Sequence, residues 1–200
     1  MKRFGWILLA AAAAAVPAPA AAQYVSDVEP FIEAVRSRDG DKAEQLVTDR
    51  PSVLNTRNVK GQTALIVAIS RSDDLWTRFL LGKGADPNYT ASNGDTPLIA
   101  AARVGFTDAM ELLLQLGAKV DGANKMGETA LIVAVQQRQL DAIRLLLARG
   151  ADPDRKDSAA GYSARDYAKR DTRNREILAA IEAAKKPAKP KSDDLDSFKL

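Results

Sequence analysis

The side chains that carry most protein chemistry are scarce in this chain. Histidine and cysteine are both absent, which removes the commonest general base, the thiolate nucleophile and the preferred ligands of zinc together. Carboxylate, lysine and hydroxyl groups remain. Asp73-Asp74 and Asp193-Asp194 are paired acids, yet neighbours on one exposed turn read as solvated carboxylates that hold a cation only weakly. Gly82-Lys83-Gly84 has the look of a phosphate loop, but it lacks both the spacing and the following serine or threonine of one. It reads instead as the end of a helix. The sequence therefore predicts no metal, no cofactor and no enzyme; catalysis by carboxylates or Ser/Lys groups alone is the weakest of the readings.

Charge restricts the partners in the same way. The net charge is +3, but Lys2 and Arg3 supply two of those charges, and residues 185–200 carry five lysines against three aspartates. The body between them is left about one charge negative, with its signs interspersed. Nucleic-acid binding needs lysine and arginine clustered on one face, so no nucleic acid is expected.

The start of the chain has the layout of an export signal. Lys2 and Arg3 precede an apolar run from Phe4 to Val16, followed by Pro17, Ala18, Pro19, Ala20, Ala21 and Ala22. Thirteen apolar residues fall short of the roughly 20 needed to cross a bilayer. The expectation is a cleaved signal peptide over 1–22, with Ala20 as the alternative cut, a mature chain from Gln23 and no membrane span once the signal is gone. That places the protein in the periplasm or outside the cell. Without cysteine there is neither a lipid-anchoring thiol nor a disulfide framework, so the mature chain must bury a core of its own.

The elements that build this core announce themselves by repetition. Gly61, Gly94 and Gly127 stand 33 residues apart, each opening a near-copy: Gly61-Gln62-Thr63-Ala64-Leu65-Ile66, Gly94-Asp95-Thr96-Pro97-Leu98-Ile99 and Gly127-Glu128-Thr129-Ala130-Leu131-Ile132. Leu80-Leu81, Leu113-Leu114 and Leu146-Leu147 follow at constant spacing, and each unit closes on Gly84-Ala85-Asp86, Gly117-Ala118-Lys119 or Gly150-Ala151-Asp152. The glycines suit turn positions of positive φ, the threonines suit helix caps, and Pro97 suits a first helical turn. Leu98, Ala101 and Ala102 recur at helical spacing in a first helix; Met110, Leu113 and Leu114, or Ile143, Leu146 and Leu147, do so in a second.

In these residues the chain resembles the ankyrin-repeat family over about 24–184. The resemblance implies an all-α solenoid of stacked helix-turn-helix units joined by β-turn fingers, with N- and C-terminal capping units. The expected organisation is a repeat domain over 23–184: an N-cap unit at 24–57, internal repeats at 58–90, 91–123 and 124–157, a C-cap unit at 158–184, and then a disordered tail at 185–200 that is too polar to offset the entropy of ordering. Phe31, Ala34, Val35, Ala43, Leu46 and Val47 hold the apolar places of the first cap, and Ala168, Ile177, Leu178 and Ile181 those of the last. The last unit begins one residue late, near Ala159 or Ala160, with Arg165 in place of a leucine.

Three departures from the family pattern stand out. The signature histidine, which ties adjacent repeats in the family, is Ile66, Ile99 and Ile132 here, so apolar contact is expected in its place. Lys119 stands where other units have Asp86 and Asp152. Thr77 occupies an apolar position that Met110 and Ile143 hold, and Trp76 is expected to fill the gap.

The resemblance also implies where binding occurs, on the turn tips and the exposed side of the first helices, which line a concave groove. By register the partner-binding candidates are Val59, Lys60, Gln62, Ser70 and Arg71; Ser92, Asn93, Asp95, Arg103 and Val104; and Lys125, Met126, Glu128, Gln136 and Gln137. Met126 is singled out because an exposed methionine adapts to partner surfaces, and Arg71 and Arg103 because guanidinium groups clamp acidic groups bidentately. Trp76 and Phe106 are expected to pack on helices. The function implied is a non-enzymatic protein-interaction scaffold in the bacterial envelope. The alternative is a protective or inhibitory module, such as toxin immunity or a helper of an envelope enzyme like a catalase.

Overall fold

A computed structural model describes residues 20–171, 173 and 175–184, with side chains from Val28 onward. The signal-like residues 1–19 and the tail 185–200 lie outside the described residues. The described chain is ten helices in five antiparallel pairs: α1 (Ala20–Ser37) with α2 (Gly40–Asp49), α3 (Ala64–Ser70) with α4 (Asp74–Gly82), α5 (Pro97–Val104) with α6 (Thr107–Gln115), α7 (Ala130–Gln136) with α8 (Leu140–Ala148), and α9 (Ala164–Arg170) with α10 (Arg175–Ala183). A 3₁₀ turn, Pro51–Asn55, follows α2. The expected cut after Ala22 falls within the first turn of α1. Among the described residues there are no strands, only the isolated bridges Ala123–Thr129 and Lys156–Ser163, and no helix long and apolar enough to cross a membrane.

The local chemistry of each unit explains its shape. Thr63, Thr96 and Thr129 are extended residues whose hydroxyls accept the amide protons of Ile66, Ile99 and Ile132 at 3.1, 3.1 and 3.3 Å. Each thereby satisfies one of the orphan N–H groups of an inner helix, α3, α5 or α7. Ser163 does the same for α9 within a reciprocal capping box with Asp166. The outer helices α4, α6 and α8 end on Gly84, Gly117 and Gly150, all left-handed at φ 94°, 87° and 85°. The next residues close the ends, with Ala85, Ala118 and Ala151 donating to the carbonyls of Leu80, Leu113 and Leu146 at 3.0, 2.9 and 3.0 Å.

Packing runs along two rows. The inner helices contact one another in the order α1, α3, α5, α7, α9, and the outer helices α4, α6, α8 and α10 form the second row. Alanines at 64, 68, 100, 101, 102, 130, 134, 164 and 168 are buried in the inner row and let backbones approach closely. Leu80, Leu113 and Leu146 are completely buried at equivalent positions of the outer row, and Leu81, Leu114 and Leu147 pack at its edge. Ile66, Ile99 and Ile132 are buried where the family signature has histidine. The first and last pairs continue the same seam through Phe31, Val35, Ala43 and Val47 at one end and Ala168, Ile177 and Ile181 at the other. The expected stack of helical pairs is therefore what forms, and one continuous core runs through it.

The irregular unit is repaired locally. Thr77 is fully buried with its hydroxyl unpartnered, while Trp76 is also buried and packs edge-on against Phe79, ring centroids 5.1 Å apart. Phe106 packs partly buried against the core. Lys119 loses the side-chain oxygen with which Asp86 and Asp152 accept the amide protons of Asn88 and Asp154, at 2.8 and 2.9 Å, but it keeps its place in the stack through its backbone. Asn55, Asn88 and Asp121 each accept the amide proton of a residue one unit on, Asp86, Lys119 and Asp152, at 2.8, 2.9 and 3.0 Å.

Candidate functional site

The fingers between units are built by short-range hydrogen bonds. In the first, the side-chain oxygen of buried Asn58 accepts the amide protons of Lys60 and Gln62 at 3.0 and 2.9 Å. In the third, Asn124 does the same for Met126 and Glu128, at 2.9 and 3.0 Å. In the fourth, Asp157 holds Ala160 and Gly161, at 2.7 and 2.9 Å, around the extra residue. The second finger has Ala91 at that position, and Asn93 substitutes by accepting the amide proton of Asp95 at 3.0 Å. Adjacent fingers are then laced by their backbones: Ser92 donates to the Gly61 carbonyl at 2.8 Å, Lys125 to Asn93 at 3.2 Å, and Ser158 to Met126 at 2.8 Å.

Two clefts open along the inner-helix row, the first walled by fingers as well as helices and the second only by the ends of α7 and α9 and the loops that follow them. One, of about 430 Å³, lies between the first and second internal units. It gathers Lys60, Gln62, Ser70, Ser92, Asn93, Asp95, Arg103 and Val104 around Ile66, Ala91 and Ala100, so eight of the sequence-derived candidates meet at one place. The other, of about 490 Å³, lies between α7 and α9 and is lined by Gln136 with Val135, Arg138, Tyr167, Arg170, Asp171 and Arg173. Of these only Gln136 is a sequence-derived candidate. Arg170 ends α9 as Gln136 ends α7 and so continues its row, one residue out of the 33-residue spacing because of the extra residue in the last unit.

The other candidates are distributed around the clefts. Val59 (77 % exposed) and Met126 (51 % exposed) project from the first and third finger tips. Lys125 and Gln137 are exposed and Glu128 is half-buried. Arg71 is exposed and its Nη1 donates to the Arg36 carbonyl at 2.8 Å. Asp95 is the exception in orientation, since it is buried. Its Oδ2 accepts from Arg103 Nη2 and Asn93 Nδ2 at 2.9 and 2.8 Å, and its Oδ1 from Asn124 Nδ2 at 2.9 Å. It serves the fingers themselves and holds Arg103 at the cleft wall.

A second rule runs along the row. The residue in the last turn of an inner helix reaches back eight positions to its own finger: Arg103 to Asp95, Gln136 to Glu128 at 3.2 Å, and Arg170 to the Tyr162 hydroxyl at 2.8 Å. Arg170 also lies over the Tyr162 ring, 4.5 Å from its centroid. The carboxylates around the clefts are all engaged. Glu128 accepts from Asn124 and Gln136, Asp166 from Ser163, and Asp171 from Arg138. The Arg138 hydrogen bond is the main reason the Asp171 carboxyl is held below the usual aspartate range. Asp157 is likewise lowered: burial works against its ionised form, but the hydroxyl of Tyr167 at 2.7 Å and the amides of Ala160 and Gly161 outweigh it. The same bond to Asp157 pushes the Tyr167 phenol up.

The acid pairs and the glycine-lysine motif find structural employment. Asp73 is buried, caps α4 by accepting from the Trp76 amide, and pairs with Arg38 at 2.8 Å; Asp74 pairs with Arg78 at 2.9 Å. Gly82-Lys83-Gly84 is the end of α4, with Lys83 joined to Glu44. Asp193-Asp194 lies outside the described residues. What the clefts offer is therefore recognition chemistry: cationic and amide donors over an apolar floor, open along one face of the stack.

The sequence model for ankyrin repeats, in three copies, matches residues 31–120 and 72–157. No curated protein matches the chain.

Proposed function

The chain belongs to the ankyrin-repeat family, whose members are protein-binding scaffolds and typically non-catalytic, and from that premise we propose that it binds a partner protein through its concave finger and inner-helix face within the bacterial envelope. The observation that carries the choice of face is the first cleft, where Lys60, Gln62, Asn93, Arg103 and Val104 converge over Ile66 and Ala100. Framework residues keep one role in every unit, whereas these cleft residues change from unit to unit, as a recognition surface requires. The envelope location rests on the signal-like order of Lys2, Arg3, the apolar run and Ala20–Ala22.

A photo-crosslinking amino acid placed singly at Lys60, Met126 or, on α4, the 72 % exposed Leu75 tests the face in intact cells. Adducts to one protein from the first two positions and none from Leu75 are expected; adducts from Leu75 alone would sink the assignment. N-terminal sequencing of protein from the envelope fraction tests the export reading, with Gln23 as the expected first residue.

A further inference from the structure

We infer that the concave face takes an acidic, extended polypeptide segment with an apolar residue between its carboxylates. This rests on the scaffold reading above and assigns the partner's chemistry.

The inner-helix row carries the argument. Arg36 precedes the left-handed Arg38 and the Asp39 cap as Ser70 precedes the left-handed Ser72 and the Asp73 cap, so the two are equivalent. The row across the five units then reads Arg36, Ser70, Arg103, Gln136, Arg170, an arginine in every second unit. Arg103 and Arg170 line the two clefts. Arg103 commits one nitrogen, Nη2, to Asp95, and a guanidinium has five donors in a fork suited to carboxylate. Lys60 and Lys125, exposed on the first and third fingers, have no side-chain acceptor among the described residues. The first cleft sets Lys60 and Arg103 against Asp95, and the second sets Arg138, Arg170 and Arg173 against Asp171, so each carries a surplus of positive charge although the body as a whole is near neutral.

The opposite face is mixed in sign: Asp74 and Asp141 on α4 and α8 pair with Arg78 and Arg144, while Asp108 and Glu111 stand exposed on α6. It offers an acidic segment no comparable row of cations. Spacing adds a pattern. Packed helices lie about 8–10 Å apart, which puts arginines of alternate units about 16–20 Å apart. An extended chain advances about 3.3 Å per residue, so carboxylates about five or six residues apart meet successive arginines. Ile66, Ala100 and Val104 in the cleft between accept the apolar side chain.

The test is selection from a library of random peptides, each about twelve residues long so as to span two arginines at about 3.3 Å per residue, on the full chain. Binding of the selected peptides is then measured by fluorescence anisotropy. Aspartate and glutamate flanking an apolar residue are expected to be enriched. Binding should weaken about tenfold or more in the double variant Lys60→Glu, Lys125→Glu, hold in Lys60→Arg and in the convex-face control Lys42→Glu, and fall with added salt. Because Arg103 also supports Asp95, the two finger lysines keep the test independent of folding. Neutral or basic peptides that are lost on Val104→Asp would overturn the acidic assignment and leave the groove reading intact. Acidic peptides indifferent to the lysine variants would overturn both, and the absence of any enriched peptide would overturn the acidic assignment. Tighter peptide binding after Asp193, Asp194 and Asp196 are changed to serine, or concentration-dependent self-association, would mean that the chain's own acids or a second copy occupy the groove, and a separate partner would be overturned.

Discussion

Arg103 and Asp95 are joined across a finger and an inner helix, Nη2 to Oδ2 at 2.9 Å, with the carboxylate buried and the guanidinium partly open to solvent. Asn93 and Asn124 complete the set around the same carboxylate, so one side chain unites two fingers and one helix. Removing the acid strands three donors. Asp95→Ala is expected to lower the stability of the stack by about 2–3 kcal/mol, the scale of a lost charge-assisted hydrogen bond with its partners left behind. Arg103→Gln, which keeps the acid paired to the two asparagines, is expected to lower it less. Urea midpoints of the two variants check the order; equal midpoints would show that Asp95 is not the centre of the network.

Thr77 offers the reverse experiment. Its hydroxyl is buried with no partner among the described residues, at a position where other units carry Met110 and Ile143. Thr77→Val keeps the shape and removes the unsatisfied group, so a gain of about 1 kcal/mol is expected. A thermal melt reads it directly, and a lower midpoint would mean that the hydroxyl has a partner the structure does not show.

Most of the architecture was legible because the repeat sets each framework residue three times over. The threonine caps, the glycine helix ends and the isoleucines in place of histidine all do what their spacing implied. The site was legible only as a surface. Asp95 looks like any finger-tip acid in sequence, and its inward turn depends on Asn124, 29 residues away, and on Ala91 having replaced the asparagine that braces the first and third fingers. Arg36 and Arg170 were missed for a different reason, since the first cap has no finger to set its register and the last unit carries an insertion. Charge pairing across units, such as Arg138 with Asp171 at 2.6 Å, leaves no periodic trace.

Close approach between fingers can be separated from backbone strain with two glycines. Gly84 and Gly94 are both left-handed, at φ 94° and 86°. A Cβ on Gly84 would meet nothing within 4 Å, whereas one on Gly94 would lie 2.6 Å from the Lys125 amide nitrogen, which donates to Asn93. Gly84→Ala is therefore expected to cost about 1 kcal/mol from the left-handed backbone alone, and Gly94→Ala roughly twice that or more. Chemical denaturation compares them. Equal losses would mean that the fingers shift apart without penalty and that the lacing adds little.

Acid should loosen the last unit first. Asp157, Asp166 and Asp171 all lie in it or at its edge, and all are lowered: Asp157 by its tyrosine and amide hydrogen bonds against the opposing effect of burial, Asp166 by the amide and hydroxyl of Ser163, and Asp171 chiefly by Arg138. A carboxylate with a folded pKa below its unfolded value binds protons more weakly in the native state. Its contribution is complete above the unfolded value, about 3.9 for aspartate, and is lost as pH falls below that through the folded value. Between about pH 4 and pH 2, amide hydrogens of α9 and α10 should lose protection before those of α5, whose cap Thr96 is uncharged. Mutation isolates the cause: Asp157→Asn, which cannot ionise, should weaken the last unit at neutral pH and flatten its acid response. Uniform loss of protection along all five helical pairs would instead assign acid sensitivity to the net charge of the whole stack.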